Sequence, residues 1–244
     1  MPEGPSIVIL KEEAEQFSGH RIVSVSGNTK IEKVRLVGQR PIFKSWGKHF
    51  LICMDGFALR AHFLLFGSYR INEQKDRPVR LGIEFDNGEL NFYSTSLKFI
   101  EEPLDNIYDW SADVMNENWN PEKAFNKLRQ VPNMLVCDAL LEQDIFAGVG
   151  NIIKNEVLYR DRLHPETAVG NIPDEKLREV IDEAKIYSFD FFEWKKKYEL
   201  KKHWLAHTKK TCLRCDLPII KKYTGTKKRR SFFCENCQIL YDGN

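Results

Sequence analysis

Short alternating runs of apolar and polar residues dominate the first 110 residues and predict strands. The runs cover residues 21–26, 31–37, 49–54, 57–63, 80–85 and 89–93. Asp55-Gly56 and Asp86-Asn87-Gly88 separate two pairs of them, and both are typical of tight hairpin turns. Many short strands with closely spaced turns favour a β-sandwich. Ahead of the strands, residues 6–17 place their apolar side chains on one face and predict a flanking helix.

The pattern changes in the second half of the chain, where apolar positions recur at helical spacing. Asn120-Pro121-Glu122 supplies a capping residue, a proline at the first helical position and an acid in the first turn. A helix should therefore run to about residue 129. Further helices are predicted over residues 132–141, from Asn151 to about residue 159, and from Pro173 onward.

The two patterns together predict an α+β protein. An N-terminal β-sandwich with a flanking helix should occupy residues 1–115, a helical domain residues 116–207, and a small cysteine-containing module residues 208–244. Apolar runs such as residues 7–10 are far too short to cross a bilayer. The amino terminus has no basic region followed by an apolar stretch, so no secretory signal is predicted. We therefore expect a cytoplasmic protein, associated with the nucleoid in a bacterium, and no membrane partner.

Four of the six cysteines form two Cys-x-x-Cys pairs, Cys212 with Cys215 and Cys234 with Cys237, which are 18 residues apart. Four thiolates at this spacing are typical of tetrahedral zinc, and the residues between the pairs can form a hairpin. A module of about 30 residues buries too little apolar surface to fold alone, so metal binding would supply its folding energy. Two disulfides or four reduced thiols are the alternatives. Because four thiolates leave no open coordination position, we predict one structural Zn2+.

Positive charge is concentrated near the carboxyl end, although the net charge is only +2. Residues 195–230 contain fourteen lysines and arginines and only two acids. Such a block suits a polyanion, above all nucleic acid, and a solvated charged surface is the alternative. Gly148-Val149-Gly150-Asn151 is a second candidate anion site, because its backbone amides open a helix; a plain capped turn is the alternative.

The first five residues, Met1-Pro2-Glu3-Gly4-Pro5, carry the chemistry. Removal of Met1 would leave Pro2 with a secondary amine that can form an iminium with an aldehyde carbon, as lysine forms a Schiff base. An α-amino group titrates near about 8, so a sizeable fraction is neutral at physiological pH. Glu3 places a general acid or base beside that amine. A simple terminal turn is the alternative for these five residues taken alone.

These motifs together resemble the formamidopyrimidine-DNA glycosylase and endonuclease VIII family of base-excision-repair enzymes. The resemblance covers the whole chain, and the order and spacing of the motifs make it specific. Its parts are Pro2-Glu3-Gly4-Pro5, Gly47-Lys48-His49-Phe50, the stretch from Leu140 to Ile152, Arg229 five residues before Cys234, and Gln238 after the last cysteine.

The resemblance implies a bifunctional DNA glycosylase and AP lyase with a helix–two-turn–helix DNA-binding domain and a zinc-ribbon finger. In this family the terminal proline attacks the sugar C1′ of a damaged nucleotide, the base leaves, and the imine is resolved by β- and then δ-elimination. Carried over, Pro2 is the nucleophile and Glu3 the proton donor to the opening sugar. Lys48 in the active site, together with Asn151 and Arg229, clamps phosphates around the flipped nucleotide.

A flipped nucleotide leaves a hole in the base stack, which residues of a β-turn fill in this family. The matching residues here are Leu64, Leu65 and Phe66, followed by Gly67. Their apolar pattern fits sandwich core equally well, and the resemblance favours the role of a wedge. The implied partner is double-stranded DNA with damaged bases or abasic sites, bound by a monomer.

The resemblance is closer to the endonuclease VIII branch, which removes oxidised pyrimidines. Gly4-Pro5 and Tyr93-Ser94-Thr95-Ser96 resemble that branch, and the arginine-rich stretch with which the purine branch probes the opposite base is missing near residues 96–99. Ser6 departs from the acid common in both branches. An oxidised-purine glycosylase of the same family is the alternative. A non-enzymatic zinc-ribbon nucleic-acid-binding protein is a further one, although it gives no role to Pro2, Glu3 and Lys48 together.

Overall fold

The computed structural model describes residues 2–243 of the chain. The chain forms two compact units, Met1–Asp109 and Trp110–Asn244. Strands dominate the first unit, whereas the second combines helices with a two-stranded hairpin. These elements bear out the predicted α+β class.

The described residues of the first unit form two α-helices and six strands. They are α1 (Gly4–Ala14), β1 (Ile22–Ser26), β2 (Ile42–Trp46), β3 (His49–Met54), β4 (Phe57–Ile71), β5 (Leu81–Phe85), β6 (Gly88–Ile100) and α2 (Leu104–Ile107). All six strands belong to one antiparallel sheet in the order β1-β5-β6-β4-β3-β2. The two predicted hairpins are present, because Asp55-Gly56 joins β3 to β4 and Asp86-Asn87 joins β5 to β6.

The sheet folds over on itself into a sandwich because β4 and β6 are long enough to take part in both of its halves. One half contains β2, β3, residues 58–63 of β4 and residues 95–100 of β6. The other contains β1, β5, residues 68–71 of β4 and residues 88–93 of β6. The ring centroid of Phe92 lies 6.0 Å from those of Phe50 and Phe63, so the halves share one aromatic core. Helix α1 packs Ile7 and Leu10 into the same core.

One predicted strand of this unit is wrong and another was missed. Residues 31–37 contain a 3-10 helix, Lys33–Leu36, with the side chain of Val34 78% exposed, so the alternation there does not reflect burial. The Lys33 ammonium donates to the Gly27 carbonyl at 2.7 Å, which fixes the turn. Strand β2 carries a Lys and a Ser among its five residues, which weakens its apolar signal.

The described residues of the second unit form four α-helices and one two-stranded hairpin. They are α3 (Pro121–Arg129), α4 (Val136–Ala139), α5 (Asn151–Arg160), α6 (Asp174–Lys196), β7 (Ile220–Thr224) and β8 (Arg229–Phe233). The predicted cap of α3 is present, since Asn120 Oδ1 accepts from Lys123 N at 3.0 Å. Helix α6 contacts α3 and α5 around one apolar core, and α5 also contacts β8. The helix predicted over residues 132–141 is mostly wrong, because only the four residues of α4 are α-helical there.

The structure shows no helix in residues 2–243 with the length and apolar character that a membrane crossing needs.

Candidate functional site

The residues at the start of the chain lie at the amino end of α1. Glu3 precedes the first helical residue in extended conformation, and its carbonyl accepts from Ser6 N at 2.8 Å. Pro5 occupies the first turn, where its missing N–H costs nothing. Glu3 is only 4% exposed, whereas Pro2 is half-buried. The chain therefore places a buried carboxyl group beside Pro2 at the positive end of a helix.

Lys48 lies in the two-residue turn between β2 and β3. Trp46 pairs with His49 across the turn, and Gly47 adopts φ 53°, as the first central residue of a type II′ hairpin requires. The Lys48 carbonyl lies 3.3 Å from His62 Nδ1 on β4. Helix α1 contacts both strands of this hairpin, so Pro2, Glu3 and Lys48 sit on neighbouring elements of one unit.

The sequence does not predict that two histidines beside this turn are neighbours, because the strand register alone places them opposite each other. His49 and His62 are opposite each other on β3 and β4, with ring centroids 5.2 Å apart. Burial, assisted by the charge of Arg60, lowers the pKa of His49 to about 3, and burial also lowers the pKa of His62. His49 Nδ1 has no hydrogen-bond partner among residues 2–243. Both rings are therefore neutral at pH 7 and add no positive charge to that of Lys48.

Residues 64–67 form an outward excursion in the middle of β4. Phe63 pairs with Thr95 and Ser68 with Tyr93, so four residues on β4 stand opposite the single Ser94 on β6. Leu64, Leu65 and Phe66 are 50%, 65% and 76% exposed, and the alternative that they belong to the sandwich core is therefore wrong. A side chain at Gly67 would meet Phe63 Cβ at 2.7 Å, so the tight return of the chain needs glycine.

Asn151 is the first residue of α5 in the second unit. The turn before it is held by Gln143, which accepts from Gly148 N at 3.2 Å and donates to the Val149 carbonyl at 3.3 Å. Asn151 Nδ2 donates to the Arg230 carbonyl at 2.9 Å, while Asn151 Oδ1 is buried without a partner in the described chain. This contact joins the start of α5 to the β7–β8 hairpin.

Arg229 is the exposed first residue of β8 and forms no ion pair with any described residue. The turn before it is held by Asp138, a buried residue of α4. The Asp138 carboxylate accepts from Thr226 N at 2.6 Å, from Thr226 Oγ1 at 2.9 Å and from Lys227 N at 3.3 Å. Arg229 and Asn151 thus lie on the adjoining elements β8 and α5. The Asn151 side chain is hydrogen-bonded to β8, and the turn before β8 is hydrogen-bonded to α4.

Buried polar residues of α5 form hydrogen bonds with the same hairpin and with the segment before it. Lys154 Nζ donates to Ser231 Oγ at 2.8 Å, and Asn155 Oδ1 accepts from Phe232 N at 3.3 Å. Glu156 accepts backbone N–H groups of Leu205, Ala206 and His207 at 2.7, 3.0 and 2.7 Å. Three consecutive residues of one helix therefore hold strand β8 and the segment that leads to the cysteines.

The four paired cysteines converge at the base of this hairpin. Their sulfur atoms all lie within 4.8 Å of one another, and Cys212–Cys237 and Cys215–Cys234 are 3.8 and 3.5 Å apart. A tetrahedral zinc with Zn–S bonds of about 2.3 Å needs sulfurs about 3.8 Å apart, so the four residues fit such an ion. Gln238 fixes the second pair, since its Oε1 accepts from Cys234 N at 2.9 Å. The four thiols can hold one four-coordinate metal.

The basic residues between 195 and 230 are solvent-facing. All fourteen are exposed except Lys209, which is half-buried. Among the described ion pairs, Lys202 lies 2.7 Å from Glu199, Lys222 2.7 Å from Glu166 and Lys227 2.8 Å from Glu142, while the sequence places fourteen basic residues here against two acids. The surface of the second unit therefore presents excess positive charge next to Asn151 and Arg229.

Comparisons with known proteins agree with this arrangement. Residues 111–187 match the family model described as the formamidopyrimidine-DNA glycosylase H2TH domain. The chain is 27% identical to endonuclease 8-like 3 of Xenopus laevis over 214 residues, which cover 79% of this chain and 33% of that protein. It is also 27% identical over 281 aligned positions to the formamidopyrimidine-DNA glycosylase of Mycoplasma pneumoniae, covering 98% of this chain and 99% of that one. The chain thus spans about a third of the length of the endonuclease 8-like 3 relatives.

The fold also matches a solved structure. The crystal structure of Lactococcus lactis formamidopyrimidine DNA glycosylase, bound non-covalently to DNA that contains an AP site, superposes with a TM-score of 0.84 at 21% identity. The match covers 97% of this chain and 99% of that chain. At an identity this low, the superposition establishes a common fold and nothing further.

Proposed function

Because this chain belongs to the formamidopyrimidine-DNA glycosylase and endonuclease VIII family, we propose that it is a base-excision-repair DNA glycosylase with AP lyase activity. The observation that carries the proposal is the position of Pro2 beside the buried Glu3 at the amino end of α1, in the unit whose β2–β3 turn carries Lys48. A nucleic-acid-binding protein without catalysis would have no use for this combination.

Pro2 is the proposed nucleophile once Met1 has been removed. Its neutral secondary amine attacks C1′ of the damaged nucleotide, the base leaves with the electrons of the glycosidic bond, and the proton that the amine loses neutralises the departing base. Glu3 gives a proton to the sugar oxygen as the ring opens, which leaves an iminium between Pro2 and C1′. β-Elimination and then δ-elimination release the phosphates on either side, and hydrolysis of the iminium returns the amine.

The remaining residues hold the DNA in place. Lys48, Asn151 and Arg229 are the proposed phosphate clamps, and the exposure of Arg229 and the excess positive charge around it support this role. Leu64, Leu65 and Phe66 are the proposed wedge that fills the space of the flipped nucleotide. Their exposure supports this role, because apolar side chains held in water gain free energy when they enter a base stack.

One Zn2+ on Cys212, Cys215, Cys234 and Cys237 is proposed to be structural. The ion would cross-link the base of the β7–β8 hairpin and so keep Arg229 in position. The donor set of four thiolates supports zinc over harder cations, which prefer oxygen.

We propose oxidised pyrimidines in double-stranded DNA as the preferred lesions, with little dependence on the opposite base. Leu97 and Lys98 support this preference, because they lie in regular pairing with Ala61 and Arg60 within the sheet and neither offers a guanidinium. Apolar contacts discriminate substrates far less than hydrogen bonds do. A single-turnover panel of thymine glycol, 5-hydroxycytosine and 8-oxoguanine, each opposite several bases, tests this choice; a clear preference for 8-oxoguanine opposite cytosine would favour the purine branch.

Borohydride trapping tests the proposed chemistry. We expect the mature protein to become covalently linked to abasic-site DNA, and a form that retains Met1, verified by mass spectrometry, to bind the DNA without linkage. Pro2→Gly should lose most strand cleavage, and Glu3→Gln should lower base removal by roughly two to four orders of magnitude while DNA binding survives. Tight binding without any adduct would establish the non-enzymatic alternative. Sedimentation with and without DNA tests the further proposal that the enzyme is a monomer.

A further inference from the structure

A group of cations lies where the 64–67 excursion rejoins the sheet. The Lys75 ammonium and the Arg77 guanidinium both donate to Ser68 Oγ, each at 2.7 Å. Their nitrogens are therefore at most 5.4 Å apart, which is twice that distance. Ser68 is the first residue of β4 that pairs again with β6. Two positive charges thus converge on one neutral hydroxyl at the foot of the exposed residues 64–66.

No acid among residues 2–243 pairs with these two charges. Within the described part of the chain neither Lys75 nor Arg77 forms an ion pair, whereas the nearby Arg70 lies 3.8 Å from Glu73. Burial, together with the charges of Arg70 and Arg77, lowers the pKa of Lys75. The hydroxyl hydrogen of Ser68 has no acceptor among the described residues, so the group holds two cationic donors and one neutral donor with no anion of its own.

The group is held on a rigid base. Tyr93 is fully buried, its ring lies 5.5 Å from the Lys75 ammonium and 4.9 Å from the Arg77 guanidinium, and its hydroxyl oxygen accepts from Lys75 N at 2.9 Å. Cations over a tyrosine ring are attracted by its negative face. The donors are therefore positioned before any ligand arrives, as a binding site for a small anion requires.

We propose that Ser68, Lys75 and Arg77 bind one phosphodiester of the DNA strand that passes the exposed residues 64–66. This inference rests on the proposed function and adds a phosphate contact in the first unit. Ser68 follows Phe66 by two residues, and every base step of DNA is flanked by a phosphate, so a wedge in the stack brings a phosphate within reach. Two cations and a hydroxyl match the non-bridging oxygens of a phosphodiester.

Binding of duplex DNA with a tetrahydrofuran abasic analogue tests the site. The double variant Lys75→Ala, Arg77→Ala should weaken affinity about tenfold or more and reduce the salt dependence by about one unit of slope, because the two cations contact one phosphate. Arg70→Ala is the matched control, because it also removes a positive charge from this region. Unlike Lys75 and Arg77, Arg70 is already paired with Glu73, and its guanidinium donates to the Tyr69 carbonyl. Equal losses for the single variants Lys75→Ala, Arg77→Ala and Arg70→Ala would mean a general charge effect and overturn the proposal. Ser68→Ala, which keeps both cations, should lose about threefold.

Methylphosphonate scanning then identifies the phosphate. Each phosphate near the lesion is replaced in turn by a neutral methylphosphonate, and affinity is compared between the wild type and the Lys75→Ala, Arg77→Ala variant. We expect one position at which neutralisation weakens the wild type but has no further effect on the variant. Additive losses at every position would overturn the proposal. Wild-type protein that binds but yields no borohydride adduct would refute the proposed function, while this comparison would still report on the contact.

Discussion

Gly225→Ala should loosen the turn that precedes Arg229. Gly225 has φ 69°, which costs an L-residue about 1–2 kcal/mol. An added Cβ would also lie closer than 3.0 Å to three atoms of the Asp138 carboxylate. That carboxylate is buried and already accepts three hydrogen bonds from Thr226 and Lys227, so it has nowhere to move without losing them.

The expected cost follows from these contacts. Hydrogen bonds to a charged group contribute about 1.5–3 kcal/mol each, so displacing Asp138 from even one of them, added to the backbone cost, favours local opening of the turn by about 3–5 kcal/mol. Amide hydrogen exchange at Thr226 and Lys227 measures this opening directly. Because Arg229 directly follows the turn, the DNA affinity of Gly225→Ala should fall to the level of Arg229→Ala.

Two controls separate the contributions. Gly56→Ala has nearly the same backbone requirement, φ 78°, but nothing within 4 Å of the added carbon, so it should cost about 1–2 kcal/mol in its own unit and leave DNA affinity unchanged. In an Asp138→Ala background the clash is gone, and Gly225→Ala should add only its backbone cost. Wild-type exchange rates and wild-type affinity for Gly225→Ala would refute this account of the turn.

Three further outcomes are expected. Burial and the nearby Glu183 raise the pKa of Asp161 to about 7, so the folded state keeps a proton that the unfolded chain releases near 3.8. Urea titrations of wild type and Asp161→Asn should therefore show the free energy of unfolding of the wild type falling relative to that of the variant by up to about 4 kcal/mol between about pH 4 and 7, while the opposite contribution of His49, whose pKa is lowered, cancels in the comparison. Elemental analysis should find about one zinc per chain, and chelation should speed hydrogen exchange in β7 and β8 while leaving β1–β6 protected. Phe66→Ala should slow base excision yet change stability by less than about 0.5 kcal/mol, whereas the buried Phe63→Ala should cost about 3–5 kcal/mol.

Local chemistry made part of this structure predictable. The spacing of Cys212, Cys215, Cys234 and Cys237 predicts a four-sulfur cluster, because a short hairpin can close in only a few ways, and the sulfurs do converge. The Asn120 cap and the Asp55-Gly56 turn are equally local and were correctly placed. The strand predicted over residues 31–37 is wrong, because a hydrogen bond from the Lys33 side chain to the Gly27 carbonyl overrides the alternating pattern.

Long-range contacts could not be predicted from the sequence. Asp138 holds Thr226 and Lys227 across 88 and 89 positions of sequence, and nothing near Asp138 in the chain marks it as a ligand of that turn. The His49–His62 pair depends on strand register, which a hydrophobic pattern alone does not determine for residues on the polar side. The convergence of Lys75 and Arg77 on Ser68 depends on the path of the loop between β4 and β5, which the pattern does not determine either. For Leu64, Leu65 and Phe66 the pattern fitted core and wedge equally, and only their exposure separates the two.

The folded-over sheet has a consequence for how the first unit is made by the ribosome. Strand β6 pairs with β4 and β5 and takes part in both halves, and Val25 on β1 finds its partner Ile83 only 58 positions later. The half that contains β1 and β5 therefore cannot close before residue 93 has been synthesised, and the half that contains β2 and β3 cannot close before residue 100. Synthesis of residues 1–100 takes roughly 5 to 20 s at typical elongation rates. During that interval α1 has no core to pack against, and its apolar face emerges together with those of β3 and β4 as a target for holding chaperones. Pro2 and Glu3 precede every strand of this sheet in the chain, so they leave the ribosome before the strands that complete their native surroundings.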